Sequence, residues 1–189
     1  ITNSLTRYSG DMAVGAYGII NRFLFFFVMI VIGLMQGMQP IVGYNYGAKL
    51  YNRVFQVLKL SLLFATLISI TGFLLGEILP HLITSMFTTD KELADISIKG
   101  MKIMMLAVPL LGAQVISTGF FQSIGYVKTA IFLSLLRQLI LIIPALLVLP
   151  LFFGLNGIWM SVPISDFLAT VISLSLLIYN YRLLKKQMD

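Results

Sequence analysis

Arg22, Arg137 and Asp166 are ionisable residues in the interior of long apolar stretches of this sequence. A charge in the middle of a bilayer costs several kcal/mol unless it faces other protein groups or a water-filled cavity, so such residues commonly mark ion or substrate pathways. We therefore expect Arg22 to contact a cavity or a neighbouring helix. The alternative is that its long side chain extends to the membrane surface.

Lines of polar and small side chains run along the apolar stretches at helical spacing. The stretch of residues 13–38 carries Gly18, Arg22, Phe25, Met29, Gly33 and Gln36. The stretch of residues 101–124 carries Gln114, Ser117, Thr118, Phe121 and Gln122. The stretches of residues 129–151 and 158–179 carry Ser134, Arg137, Gln138, Asp166, Thr170 and Ser173. We predict that these lines face the inside of a helix bundle, where they either line a substrate path or hydrogen-bond a neighbouring helix.

The candidates for a substrate cavity or polar pathway follow from these lines. They are Arg22, Met29, Gln36, Gln114, Ser117, Thr118, Phe121, Gln122, Arg137, Gln138 and Asp166. Arg137 and Asp166 also fall at a similar depth in two neighbouring stretches. An ion pair between them would neutralise both charges, and we hypothesise that they form one.

The composition indicates which solvent surrounds these stretches. Hydrophobic residues make up 59% of the chain and charged residues 11%, against about 45–50% and about 25% in soluble domains. The formal net charge is +6, which in a soluble protein would suggest a nucleic acid partner. Here the basic residues stand between apolar blocks. We interpret them as membrane flanks, and we expect a lipid bilayer and no nucleic acid as partner.

The residue types that enzymes use for catalysis are scarce. The chain has no cysteine and a single histidine, His81, which excludes disulfides, thiolate metal sites and a cysteine nucleophile. It also has no paired-carboxylate motif and no phosphate-binding loop. We therefore expect neither an enzyme nor a bound metal or cofactor, and interpret His81 as a solvated residue at a membrane edge.

Five stretches are long enough to cross a hydrocarbon core about 30 Å thick as helices of roughly 20 residues. They are residues 13–38, 54–79, 101–124, 129–151 and 158–179. The sequence thus predicts an all-α, polytopic transmembrane helix bundle, with residues 1–8 as the end of a sixth span. Because the chain begins without a methionine or a signal peptide, we expect a fragment of a longer protein.

Turn-forming residues separate the spans and predict short connectors. The first connector contains Pro40, Gly43, Asn45 and Gly47, the next short one contains Gly125, and the last contains Gly154, Asn156 and Gly157. In the longer connector of residues 80–100, Asp90 is typical of a helix start and predicts a short interfacial helix.

Small residues and prolines predict how the spans pack and bend. Close helix packing is expected at Ala65, Ser69, Gly72 and Gly76. Kinks are expected inside three spans, at Pro109, Pro144 and Pro163.

Basic residues in short loops predict the orientation of the chain in the membrane. One side of the predicted bundle carries Lys49, Arg53, Lys59, Lys128, Arg182, Lys185 and Lys186. The opposite side carries fewer basic residues, and they are mixed with acids. The C-terminus is therefore expected in the cytoplasm.

Residues 33–49 have the sequence GLMQGMQPIVGYNYGAK. This block resembles the signature that ends the eighth helix of the multidrug and toxic compound extrusion (MATE) transporters. Residues 10–17 resemble the junction of the seventh and eighth helices, and residues 119–125 with Arg137 and Gln138 resemble the tenth and eleventh. The residues that match the family motif are Gln36, Gln39, Pro40, Gly43, Asn45, Gly47, Ala48 and Lys49.

The resemblance implies a fold and a function. The chain would be the C-terminal transmembrane lobe of a two-lobe transporter, without the N-terminal lobe that is its partner. The family exports drugs and other amphipathic or cationic compounds across the bacterial cytoplasmic membrane in exchange for Na⁺ or H⁺. Because residues 101–124 contain no acid, the coupling ion is expected to bind outside this chain. The alternatives are a lipid-linked sugar flippase of the same superfamily and a membrane scaffold subunit without transport activity.

Overall fold

The computed structural model describes residues 2–186, and the side chains of residues 11–186. This part of the chain is helical and contains no strand, so the predicted all-α class is confirmed. The elements are α1 (Thr2–Gly47), α2 (Tyr51–Ile78), α3 (Pro80–Ser85), α4 (Lys91–Met105), α5 (Val108–Ser123), α6 (Val127–Leu135), a π-helical segment (Leu136–Leu141) and α7 (Ile142–Lys185).

Three stretches of the described chain are long and apolar enough to cross a membrane, namely Asp11–Gly47, Tyr51–Ile78 and Val127–Lys185. Helices α4 and α5 form a fourth if they are counted as one span, although they are bent by 52° at their junction. That junction directly precedes Pro109, as the sequence predicted, because proline removes a backbone donor from the helix. The division into five spans stays a prediction.

The stretch Val127–Lys185 folds back on itself. Its 59 residues would make a straight helix about 90 Å long, three times the thickness of the hydrocarbon core. Instead, Gly154 adopts φ 55° and ψ −132°, a conformation that is open essentially to glycine alone. A Cβ at Gly157 would overlap the carbonyl oxygen of Leu149. The turn predicted at Gly154 and Gly157 is therefore confirmed.

The prediction of a connector at Pro40, Gly43 and Asn45 is wrong, because α1 continues through these residues to Gly47. The Asn45 side chain donates a hydrogen bond to the Ile41 carbonyl oxygen, at 2.8 Å, within the same helix. Membrane helices tolerate proline and glycine because neighbouring groups satisfy the freed backbone. The chain turns later, where Lys49 has a φ of 58°.

The start of α1 and the end of α4 are the two remaining boundaries. Residues 2–8 continue into α1 without a break, and their assignment to the end of a sixth span stays a prediction, because α1 has 46 residues and is longer than one span. Ile1 lies outside the described residues. Asp90 caps α4 by accepting hydrogen bonds from the amides of Glu92 and Leu93, as expected. However, α4 runs to Met105 instead of ending as a short interfacial helix, since its buried face of Ser97, Gly100, Met101, Met104 and Met105 continues unbroken.

Small residues bring α2 close to its neighbours, as predicted. A Cβ at Gly112 of α5 would overlap the carbonyl oxygen of Ala65 and lie 2.7 Å from Oγ of Ser69. We call Ala65, Ser69 and Gly112 the α2–α5 seam. Further along α2, a Cβ at Gly72 would meet the ring of Phe27 at 2.8 Å. Close backbone approach through small residues is how membrane helices gain van der Waals packing.

Candidate functional site

Arg137 and Asp166 form the ion pair that the sequence suggested. Nε of Arg137 donates to Oδ1 of Asp166 at 2.6 Å, and Nη2 donates to Oδ2 at 3.3 Å. The Asp166 side chain is 5% exposed and that of Arg137 27% exposed. A two-point contact of this kind satisfies both carboxylate oxygens and fixes the orientation of the guanidinium. The pair ties the π-helical segment to the second half of α7.

The π-helical segment that carries Arg137 was not predicted. Pro144 follows it and has no amide hydrogen to bond the carbonyl of Ile140, so the preceding turn is not held in α-helical form. Such wide turns are rare and occur frequently at functional sites. Pro144 was predicted to kink the helix, and it stands next to this irregular turn. At Pro163, by contrast, the backbone torsions stay helical.

The polar line on α5 lies largely inside the bundle, as predicted. Gln114, Ser117 and Phe121 are buried, Thr118 is half-buried and Gln122 is exposed. The hydroxyls of Ser117 and Thr118 donate to carbonyls one turn earlier, at 2.7 and 3.0 Å. These two side chains are therefore satisfied within their own helix. Among the described residues, Oε1 of Gln114 has no hydrogen-bond partner.

The polar line on α1 lies on the outside of this bundle, so the prediction that it faces inward is wrong. Arg22, Phe25, Met29, Gly33 and Gln36 are exposed and Gly18 is half-buried. We call these six residues the open face of α1. The opposite face is buried and consists of apolar residues such as Ala16, Ile20, Phe27, Val31, Met38 and Val42. Helical spacing shows which residues share a face but not which face packs against a neighbour.

The residues of the family motif hold the end of α1 against α5. Nε2 of Gln39 donates to Oε1 of Gln122 at 2.7 Å, a contact that the sequence analysis missed. A Cβ at Gly43 would lie 3.3 Å from the carbonyl oxygen of Ser123. Asn45 is buried, whereas Pro40, Gly47, Ala48 and Lys49 are exposed. Gln39 and Gly43 therefore position these two helix ends.

Three further observations concern the polar residues of the described part of the chain. Glu77, a half-exposed acid one residue before the end of α2, was overlooked although it lies within a predicted span. Gln138 is exposed beside the buried pair. Within the described part of the chain, no group of three or more His, Cys, Asp or Glu residues is arranged to hold a metal ion.

Long apolar helices, with an ion pair held between two of them, define an integral membrane protein. A family model described as MatE matches residues 1–148, and the chain belongs to this family. The resemblance found in the sequence is thereby confirmed.

Relatives and solved structures agree with this family. The chain is 28% identical over 182 residues to multidrug export protein MepA of Staphylococcus aureus (strain MSSA476), covering 96% of this chain and 40% of the relative. It is 41% identical to the MATE multidrug transporter DinF-BH, covering 93% of this chain and 39% of that one, with a TM-score of 0.82. An inward-facing MATE transporter of the MOP superfamily shares the fold at 15% identity and a TM-score of 0.91, covering 100% of this chain and 44% of that one. The chain thus spans about 40% of the length of the relatives it matches.

Proposed function

We propose that the whole protein exports amphipathic or cationic drugs in exchange for Na⁺ or H⁺, with this chain as its C-terminal lobe. The observation that carries the proposal is membership of the MatE family, together with relatives that are named multidrug export proteins. The N-terminal lobe of the same protein is the partner that completes the transporter, and the substrate passes between the two lobes.

The open face of α1 supports a path on this side of the lobe. Arg22 is exposed at a depth where hydrocarbon would make its charge costly, so it needs polar surroundings. A Cβ at Gly18 or Gly33 would meet nothing within 4 Å, which leaves room beside the helix. Met29 and Phe25 offer adaptable apolar and aromatic contacts that suit varied cationic guests. Gln36 adds a hydrogen-bonding amide.

The coupling ion is proposed to bind outside this chain. Residues 101–124 contain no acid, and Asp166 is engaged by Arg137 through two hydrogen bonds. A carboxylate of the N-terminal lobe is therefore the better candidate for a Na⁺ or H⁺ site. The basic residues near the end of α7 support a cytoplasmic C-terminus in a bacterial cytoplasmic membrane.

Dye accumulation in cells tests the proposal. Cells that lack other efflux pumps would express the full-length protein, and the retention of ethidium and other fluorescent cations would be measured with the Na⁺ or the H⁺ gradient collapsed in turn. Lower retention that depends on one gradient is the expected result. The substitution Lys91→Gln, of an exposed residue that is not among the candidates for the path, serves as a matched control and should keep export. Unchanged retention across a broad panel of dyes would contradict drug export and favour the flippase or scaffold alternatives.

A further inference from the structure

A groove of about 750 Å³ opens between the first turns of α2 and the last turns of α7. Phe55, Leu58 and Leu177 give it apolar walls, and Gln56, Lys59 and Tyr181 add polar groups. Leu58 and Leu177 belong to the buried core and form its floor. The rings of Phe55 and Tyr181 lie 4.3 Å apart and join the two helices at this point. None of these six residues is among the candidates for the transport path.

The polar groups of the groove stand between membrane depth and the helix ends. Lys59 lies eight residues after the first residue of α2, or about 12 Å along the helix axis. Its stem can follow the apolar wall while its ammonium group reaches toward the headgroup region. Tyr181 combines a ring with a hydroxyl, which suits the same boundary.

The charge around the groove has one sign. Arg53 and Arg182 are exposed beside it in sequence, and Lys49, Lys185 and Lys186 are exposed at the neighbouring helix ends. No acid occurs in the sequence between Asp11 and Glu77, nor between Asp166 and Asp189. A positive surface of this extent attracts anionic lipid headgroups. A zwitterionic lipid would leave these charges without net compensation.

We propose that this groove binds one anionic phospholipid. Its phosphate accepts hydrogen bonds from the ammonium group of Lys59 and the Tyr181 hydroxyl, and its acyl chain lies along the floor of Leu58 and Leu177. Basic pockets between transmembrane helices bind acidic lipid headgroups in this way. None of the groove residues belongs to the open face of α1, so lipid binding is tested separately from transport.

Native mass spectrometry of the detergent-solubilised full-length protein tests the site directly. The probes are dioleoyl phosphatidylglycerol and, for comparison, dioleoyl phosphatidylcholine. We expect a single tightly retained phosphatidylglycerol and no equivalent phosphatidylcholine adduct. Lys59→Gln should weaken the phosphatidylglycerol adduct by about fivefold, and Lys59→Arg should keep it. Lys128→Gln, which removes another exposed cation outside the groove, should leave it unchanged. Equal retention of both lipids, or equal losses in Lys59→Gln and Lys128→Gln, would overturn the proposal.

A labelling experiment separates lipid from the other possible occupants. Gln56→Cys, in a background without other cysteines, should react with a maleimide in delipidated protein and be protected from it by phosphatidylglycerol. Glycerol phosphate should not protect it, since it lacks the acyl chain. A cysteine that stays unreactive after delipidation would show that upstream protein covers the groove and would overturn the proposal. Protection by glycerol phosphate alone would show a phosphate site and overturn the lipid assignment as well.

Discussion

Small residues line both the α2–α5 seam and the open face of α1, yet the two surfaces meet very different surroundings. A Cβ at Gly112 in the seam would overlap the Ala65 carbonyl oxygen. On the open face, Gly18 and Gly33 have nothing within 4 Å of a Cβ. The same residue type therefore permits helix contact in one place and leaves free space in the other. What separates a packing residue from a pathway residue is the neighbour, not the residue type.

The two arginines of the apolar stretches, Arg22 and Arg137, repeat this contrast. Arg137 is held by Asp166 at 2.6 Å. Arg22 is exposed, and no carboxylate of residues 11–186 lies within salt-bridge distance of it. The charge of Arg137 is neutralised inside the bundle by Asp166 of the same chain. The charge of Arg22 stands exposed on the open face. Substitutions in the two regions should therefore separate stability from transport.

The largest effect is expected from breaking the ion pair. Arg137→Gln leaves the buried Asp166 carboxylate without its partner and should lower the free energy of unfolding by about 3–5 kcal/mol. Arg22→Gln should change it by no more than about 0.5 kcal/mol. Thermal unfolding of the full-length protein in detergent measures both. The charge-swapped double variant Arg137→Asp with Asp166→Arg should recover part of the loss. If it recovers no stability or activity that the single variants lose, the pair has no such role.

Alanine at two glycines compares the seam with the open face directly. Gly112→Ala forces a methyl group against the Ala65 backbone and should destabilise the protein by about 1–3 kcal/mol. Gly33→Ala meets open space within a helix and should stabilise it by about 0.5–1 kcal/mol. Unfolding temperatures of the two variants should therefore move in opposite directions. If the unfolding temperatures of Gly112→Ala and Gly33→Ala shift in the same direction by the same amount, the distinction between the seam and the open face is contradicted.

Transport should respond to the open face without a change in stability. Arg22→Gln removes the charge that needs polar partners across the open face. The loss of one charge-assisted hydrogen bond there, worth roughly 1.5 kcal/mol, should lower the rate of export of a cationic dye by roughly tenfold. The initial rate of ethidium efflux from loaded cells measures this effect. Met29→Leu, which conserves volume and apolar character on the same face, is the matched control and should retain most of the activity. Normal efflux by Arg22→Gln would remove the open face from the path.

The smallest effect concerns the contact between α1 and α5. Gln39→Leu removes the hydrogen bond to Gln122 and should cost about 0.6 kcal/mol, the average for such contacts between membrane helices. The double variant Gln39→Leu with Gln122→Leu leaves no unpaired amide and should be nearly neutral. A double-mutant cycle on unfolding temperature measures the coupling. Gln36→Leu, on the open face, should show no coupling with Gln122→Leu.

Several features were predictable because they depend on neighbouring residues in the chain. Asp90 precedes a helix and caps it, and Pro109 interrupts the path from α4 to α5. Gly154 allows the reversal of α7. The Arg137–Asp166 pair was also predictable, because two opposite charges at similar positions in neighbouring apolar stretches are stabilised by forming an ion pair.

Other features depend on contacts between distant parts of the chain, and the sequence did not predict them. The bond between Gln39 and Gln122 joins residues 83 positions apart. The π-helical segment at Leu136–Leu141 has no clear sequence signal beyond the nearby Pro144. The end of α1 was placed too early, since Pro40 and Gly43 are typical of turns in water but are tolerated in a membrane helix.

Hydropathy, turn residues and a short motif are local properties, and they were sufficient to predict a helical membrane protein that resembles the MATE transporters. Which polar lines lie inside the bundle depends on how the helices pack, and the sequence did not reveal it. The line of Gln114 and Ser117 is buried against other helices, whereas the line of Arg22 and Gln36 is exposed. Helical periodicity groups side chains on a face, but burial is set by the helices that pack against it.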